Sequence, residues 1–182
     1  MIVEIATFGR IPTNVLNRVF REIEELYSPY IEKCFMGPIL ELPPRAYNKS
    51  RRQYNANTIV EWMFREITGD KVLALTNVDI YVPDKNFVFG LAQYPGRMAL
   101  VSLKRLDPTF YKAPPDHSLT LERATKESVH ELGHIFGLEH CDDKTCVMSF
   151  SNSILNVDKK GSAPCEKCRE KLQAIFTTWV SR

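Results

Sequence analysis

The chain has 182 residues, a length that favours one domain, or one domain with a small appended subdomain, and argues against a multi-domain assembly. Apolar residues make up 44% and charged residues 25%, the globular average, which excludes disordered, fibrous and membrane classes. Lys+Arg 24 against Asp+Glu 22 leaves +2 with no block of five like charges, so a nucleic-acid surface is not expected; the densest basic stretch, Lys49 with Arg51 and Arg52, reads as a solvated loop leading into a helix.

Residues 2–7 are β-rich and end near Gly9, which predicts a first strand and its turn. Pro12 then fits the first turn of a helix in which Val15, Leu16, Val19, Ile23 and Leu26 recur at helical spacing until Ser28-Pro29. Residues 35–42 form a weaker second strand, interrupted by Gly37-Pro38 and closed by Pro43-Pro44. Residues 55–67 predict a second helix with Ile59, Trp62, Met63 and Ile67 along one side. The nearly continuous apolar run 71–77 predicts a strand covered on both faces. Residues 86–93 and 98–103 predict two strands joined as a hairpin around Tyr94-Pro95-Gly96-Arg97.

Pro108, Pro114 and Pro115 mark residues 107–117 as an irregular loop, in which His117 is a solvated residue. A long helix follows, capped by Ser118 or Thr120, with Leu121, Ala124, Ser128, Val129, Leu132 and Phe136 as its buried stripe. After Gly137 no regular element is expected until a C-terminal helix carrying Cys168, Leu172, Ile175, Phe176 and Trp179. This order predicts an α/β (α+β) fold, a mixed twisted sheet with helices packed on it. The chain reads as a single domain, residues 1–182, in which an N-terminal α/β part, 1–137, gives way to a C-terminal subdomain, 138–182.

Residues 130–134 read His-Glu-Leu-Gly-His. Four helical residues advance about 400°, so His130 and His134 share a face and can reach one cation, while Glu131 lies near enough to address a metal-held water as general base. Two helix-face histidines alone are also compatible with solvated or hydrogen-bonded side chains. Gly137 weighs against that, because a glycine accepts the left-handed backbone that ends a helix and turns the chain back, and His140 arrives three residues later. Three imidazoles would then leave one coordination position for water. A zinc ion lowers the pKa of such a water from about 15.7 to near 7, and Glu131 would take its proton and pass it to the leaving amine. The chemistry is amide hydrolysis without a covalent intermediate.

Cys141-x4-Cys146 and Cys165-x2-Cys168 lie within 28 residues and form two pairs that can supply four thiolates to a second, closed zinc site of structural role. Two disulfides or free core thiols are the alternative, disfavoured in a reducing compartment. Adjacent His140 and Cys141 would let one ion position a ligand of the other. Cys34 reads as a small buried apolar residue.

The pattern His130-Glu131-x-x-His134-x-x-Gly137-x-x-His140 resembles the extended motif of the metzincin metallopeptidases, and Met148 resembles the methionine of their Met-turn, where it packs beneath the metal rather than ligating it. The continuation through Cys141, Cys146, Met148, Cys165 and Cys168, with Phe87-Val-Phe-Gly-Leu-Ala92 and Gln53-Tyr-Asn-Ala56, resembles the archaemetzincins. The resemblance implies a metzincin-like fold with a long active-site helix and a small zinc-stapled C-terminal subdomain. It also implies a zinc peptidase with two Zn2+ per chain that binds extended peptides along an edge strand, with the 87–103 hairpin the nearest candidate in chain order. Short peptides and aminopeptidase-like action are favoured, for which Asp79, Asp84 and Asp142 are candidate amine anchors. Phe150 stands where some metzincins place a tyrosine, so no hydroxyl assists the oxyanion from that position; Tyr94 and Tyr111 are alternatives.

The N-terminal segment has an acid at Glu4 and lacks the pattern of a signal peptide, and no apolar run approaches the roughly 20 residues that span a bilayer, so a cytoplasmic protein without membrane partners is expected, with a monomer favoured. The competing expectation is a zinc-structured peptide-binding module with weak or lost catalysis. Retention of Glu131 weighs against it.

Overall fold

The structure, a computed structural model, describes residues 1–180; the side chains of Trp179 and Val180 fall outside that description. Strands β1 (Ile2–Phe8), β2 (Lys33–Leu40), β3 (Tyr47–Asn48), β4 (Gln53–Asn55), β5 (Lys71–Thr76), β6 (Ile80–Tyr81), β7 (Gly90–Ala92) and β8 (Met98–Ser102) alternate with helices α1 (Thr13–Tyr27), α2 (Ala56–Glu66), α3 (His117–Ile135), α4 (Ile154–Lys159) and α5 (Glu166–Val180). The main sheet runs β2-β1-β5-β8-β7, with β7 antiparallel to β8 at one edge and the other pairings parallel.

Period-two alternation sorts the central strands between two cores. Val3, Ile5, Leu73, Leu75, Ala99 and Val101 join the larger core with α1, α3 and the C-terminal segment, while Ala6, Phe8, Val72, Ala74, Met98 and Leu100 join a second core under α2. Strand β5 is therefore covered on both faces, as its apolar run predicts. Tyr27 ties α1 to α3: its buried hydroxyl donates to the Val129 carbonyl at 2.9 Å, and its ring meets Phe136 edge-on. Leu138, Cys146, Val147, Met148, Val157, Cys168, Leu172 and Phe176 join the same core as α3.

Several expectations are corrected. The predicted strand at 86–93 joins β8 only from Phe89 onward: the Asn86 carbonyl accepts from Arg51 Nη2 and Gln53 Nε2, and the Val88 N–H donates to the Ile80 carbonyl of β6 at 3.1 Å. The Lys49–Arg52 stretch is the turn of a β3-β4 hairpin, and Arg51 is engaged with Gln53 and stacked over Tyr81 at 4.1 Å rather than solvated. Helix α3 is capped by Asp116, which accepts from the Leu119 N–H at 2.9 Å, not by Ser118 or Thr120; His117 is its exposed first residue. Its buried surface is wider than the apolar stripe and takes in Arg123, Lys126 and Glu127. The short β3, β4, β6 and α4 were not expected.

Candidate active site

Helix α3 ends beneath the cleft in a Schellman motif. Gly137 adopts φ +102°, its N–H donates to the His134 carbonyl at 2.9 Å, and the Leu138 N–H donates to the Gly133 carbonyl at 2.9 Å. That reversal carries His140 back over the helix face bearing His130 and His134. The three rings come together, with centroids 4.6, 4.7 and 5.4 Å apart.

Each helix histidine is oriented from behind. The Nδ1 atoms of His130 and His134 lie 2.8 Å from the carbonyls of Val147 and Leu138, which directs both Nε2 atoms to a common point, 3.1 Å apart. Two nitrogens bound tetrahedrally at about 2.05 Å would stand about 3.3 Å apart, so the geometry fits a zinc-sized ion. Burial, then the nearby positive charge of Lys160, holds His130 well below the usual imidazole range; burial brings His134 down to about 4 and lowers His140. Neutral rings are the ligating form.

Glu131 is buried, and burial followed by the neighbouring Glu127 carboxylate pushes its carboxyl well above the usual range. Its side chain approaches Gly90 of the edge strand, where a methyl group would stand 2.7 Å from Glu131 Cγ and Cδ. Only a glycine there lets the carboxylate lie so close to β7. Met148 is fully buried beneath α3, packed against Gly133. The cleft, about 810 Å3, is lined by the 87–92 segment, the three histidines, Glu127, Glu131, Tyr94 and Phe150–Asn152.

The four cysteines also converge. Cys141 Sγ lies 3.8 Å from Cys165 Sγ, and Cys146 Sγ lies 3.8 Å from Cys168 Sγ. A tetrahedron of thiolates about 2.3 Å from a zinc ion has edges of about 3.8 Å, whereas a disulfide needs about 2.05 Å, so the arrangement fits four ligands and not two disulfides. The Cys165 N–H donates to Cys146 Sγ at 3.2 Å, and the Cys141 N–H donates to the Met148 carbonyl at 2.9 Å. The cysteine cluster is thus fastened to the turn under the histidines.

The other candidates separate. Asp79 is engaged by Arg105, at 2.7 and 2.8 Å, and by Gln53, and Asp142 lies outside the cleft lining; Asp84 lines it. Tyr111 donates to the Arg105 carbonyl away from the cleft, whereas Tyr94 lines it, edge-on to His134 at 6.1 Å. Phe150 meets His140 at 5.1 Å and carries Lys85 over its ring at 4.6 Å. Glu127, Lys85 and Glu139 also line the cleft and were missed; for Glu127 the signal was its place one turn before Glu131 on the same helix face.

The profile of "Peptidase family M54" matches residues 14–174. The chain belongs to that family, the archaemetzincins. It is 43% identical over 160 residues to the archaemetzincin of Methanocaldococcus jannaschii, covering 88% of each chain. The crystal structure of Methanopyrus kandleri archaemetzincin matches with TM-score 0.85 and 42% identity over 97% of this chain and 96% of that one. A zinc-dependent peptidase from Methanocorpusculum labreanum matches with TM-score 0.79 and 27% identity over 93% and 99%. The chain is accordingly a zinc metallopeptidase acting on a peptide or protein substrate, and none of its described helices is long and apolar enough to cross a membrane.

Proposed function

We propose that peptide bonds are hydrolysed in this cleft with His130, His134 and His140 as ligands of the catalytic zinc and Glu131 as general base, acting on short peptides in an aminopeptidase-like manner. The observation that carries this reading is the placement of Glu131: a buried carboxylate beside three convergent imidazoles and against the edge strand. Zinc held by the imidazoles supplies a Lewis acid that polarises the scissile carbonyl and acidifies water.

The chain's own residues do the rest. An extended peptide pairs with the free edge of β7, which fixes its main chain with little sequence preference. Glu131, whose carboxyl burial holds well above the usual carboxylate range, accepts the proton of the attacking water and delivers it to the leaving amine. Asp84, exposed on the lining, is the candidate anchor for a free amino terminus. Cys141, Cys146, Cys165 and Cys168 hold a second, structural zinc, giving two per chain, and staple the 138–182 subdomain of the single domain together from within.

The test is hydrolysis of an undirected peptide pool by wild type and Glu131→Gln, with products identified by mass spectrometry and metal counted per chain. Wild type is expected to release single N-terminal residues, and the variant to lose cleavage while keeping both ions. Unchanged cleavage by Glu131→Gln removes it as the base. Internal cleavage removes the aminopeptidase reading, and no cleavage by either protein leaves a binding module.

A further inference from the structure

One helical turn before His130 and Glu131, Glu127 lines the same cleft. Its side chain is 4% exposed, and its Oε1 lies 2.7 Å from Nζ of Lys160, which is 1% exposed. Neither atom completes a well-directed hydrogen bond among the described residues. Removing two charges from water is costly, and an apolar pair of the same size would often serve stability as well or better. Nor is the pair needed to hold α4 on α3: Arg123 grips Asp158 with bonds of 2.7 and 2.8 Å, and Lys126 Nζ donates to the carbonyls of Val157 and Asp158 at 3.3 Å.

Where the pair sits suggests what it does. Lys160 lies behind Glu127 and outside the cleft lining, so an incoming peptide meets the carboxylate and not the ammonium. Ser151 Oγ, buried and without a hydrogen-bond partner among the described residues, belongs to a residue on the same lining. The lining as a whole carries Asp84, Glu127, Glu131 and Glu139 against Lys85. Side chains of a bound strand that face the same way recur about every 6.6 Å, while Glu127 stands about 4.5 Å along the helix from His130 and about 6 Å from Glu131. The side chain that reaches it therefore belongs to a residue flanking the scissile bond.

We propose that Glu127, backed by Lys160, is the specificity-determining residue of a side-chain subsite beside the scissile bond that takes a cationic, hydrogen-bond-donating side chain, lysine or arginine. Lys160 occupies Oε1 and leaves Oε2 as acceptor, and Ser151 Oγ adds a second acceptor. An apolar side chain there would return no hydrogen bond to Oε2 or to Ser151 Oγ, and an acidic one would face Glu127 directly. The assignment rests on the peptidase reading of the cleft.

The experiment separates binding from cleavage. Zinc-loaded Glu131→Gln is titrated calorimetrically with peptides in which lysine, norleucine or glutamate is scanned along the sequence. At one position lysine is expected to bind at least about tenfold more tightly than norleucine, the gain of a charge-assisted hydrogen bond, with glutamate weakest. Adding Glu127→Gln is expected to bring lysine and norleucine within twofold with the metal content unchanged, and Glu127→Asp to restore part of the difference. The double change Glu127→Gln with Lys160→Met removes both charges, so the same loss is expected even where Glu127→Gln alone folds poorly. Equal binding of lysine and norleucine at every position, or a preference that survives both Gln variants, overturns the subsite. Wild-type cleavage of the same peptides is scored separately. Cleavage without lysine preference leaves the peptidase and removes the subsite, whereas lysine-selective binding without cleavage removes the peptidase reading alone.

Discussion

Gly90→Ala tests the contact between the edge strand and Glu131, the proposed base. The added methyl would stand 2.7 Å from both Cγ and Cδ of Glu131, against an ordinary carbon–carbon contact of about 3.5–4.0 Å, so about 1 Å must be found. Neither side yields easily: Gly90 is held in register opposite Val101, and Glu131 is buried on a helix packed against the sheet. The end of the Glu131 side chain is the cheapest part to move, and a base misplaced by about 1 Å loses on the order of 100-fold in rate, or about 2.7 kcal/mol of barrier. Overpacking would also lower stability by about 1–3 kcal/mol. Steady-state kinetics on a fluorogenic peptide, with metal analysis and thermal melting of the same preparation, should show kcat down about 100-fold and both ions retained. A kcat within twofold of wild type in a protein that melts normally would show that the Gly90–Glu131 approach does not set the position of the base.

Three further substitutions probe the scaffold. Cys165→Ser should reduce bound zinc from two ions to one and lower the melting temperature, since a site that folds with its metal loses that binding energy; an unchanged zinc count removes Cys165 from the ligands. Gly137→Ala forces a side chain into φ +102° and should cost about 1–2 kcal/mol by chemical denaturation, with weaker retention of the catalytic ion because His140 follows the turn; full stability would deny that the Schellman reversal needs glycine. Tyr27→Phe should cost about 1 kcal/mol by removing the buried bond to the Val129 carbonyl, leaving kcat unchanged well below the melting temperature; a neutral result would mean that this bond adds nothing net to the packing of α1 on α3.

What could be read from the chain and what could not divides by the range of the interactions. The 130–140 site was legible because helix periodicity and one glycine turn fix it locally: two histidines four residues apart must share a face, and a chain reversed at Gly137 must return. The cysteine pairs were legible as four donors to one ion in preference to two disulfides, and the sulfur separations of 3.8 Å fit that set. The strand expected over 86–93 failed in its first three residues because alternating side chains indicate a pleat without showing who takes the main-chain hydrogen bonds: the Asn86 carbonyl goes to Arg51 and Gln53, more than thirty residues away, and the Val88 N–H to Ile80. The charged face of α3 was hidden for the same reason. Arg123, Lys126 and Glu127 look like solvated positions until α4, six residues long and too short to show a period, covers them with its Asp158 and with Lys160 just after it. A buried charge is therefore the kind of residue least visible in one sequence. Where such a charge lines the cleft, as Glu127 does, what is hidden is the residue proposed to discriminate among substrates, whereas the residues proposed for the chemistry follow a local pattern.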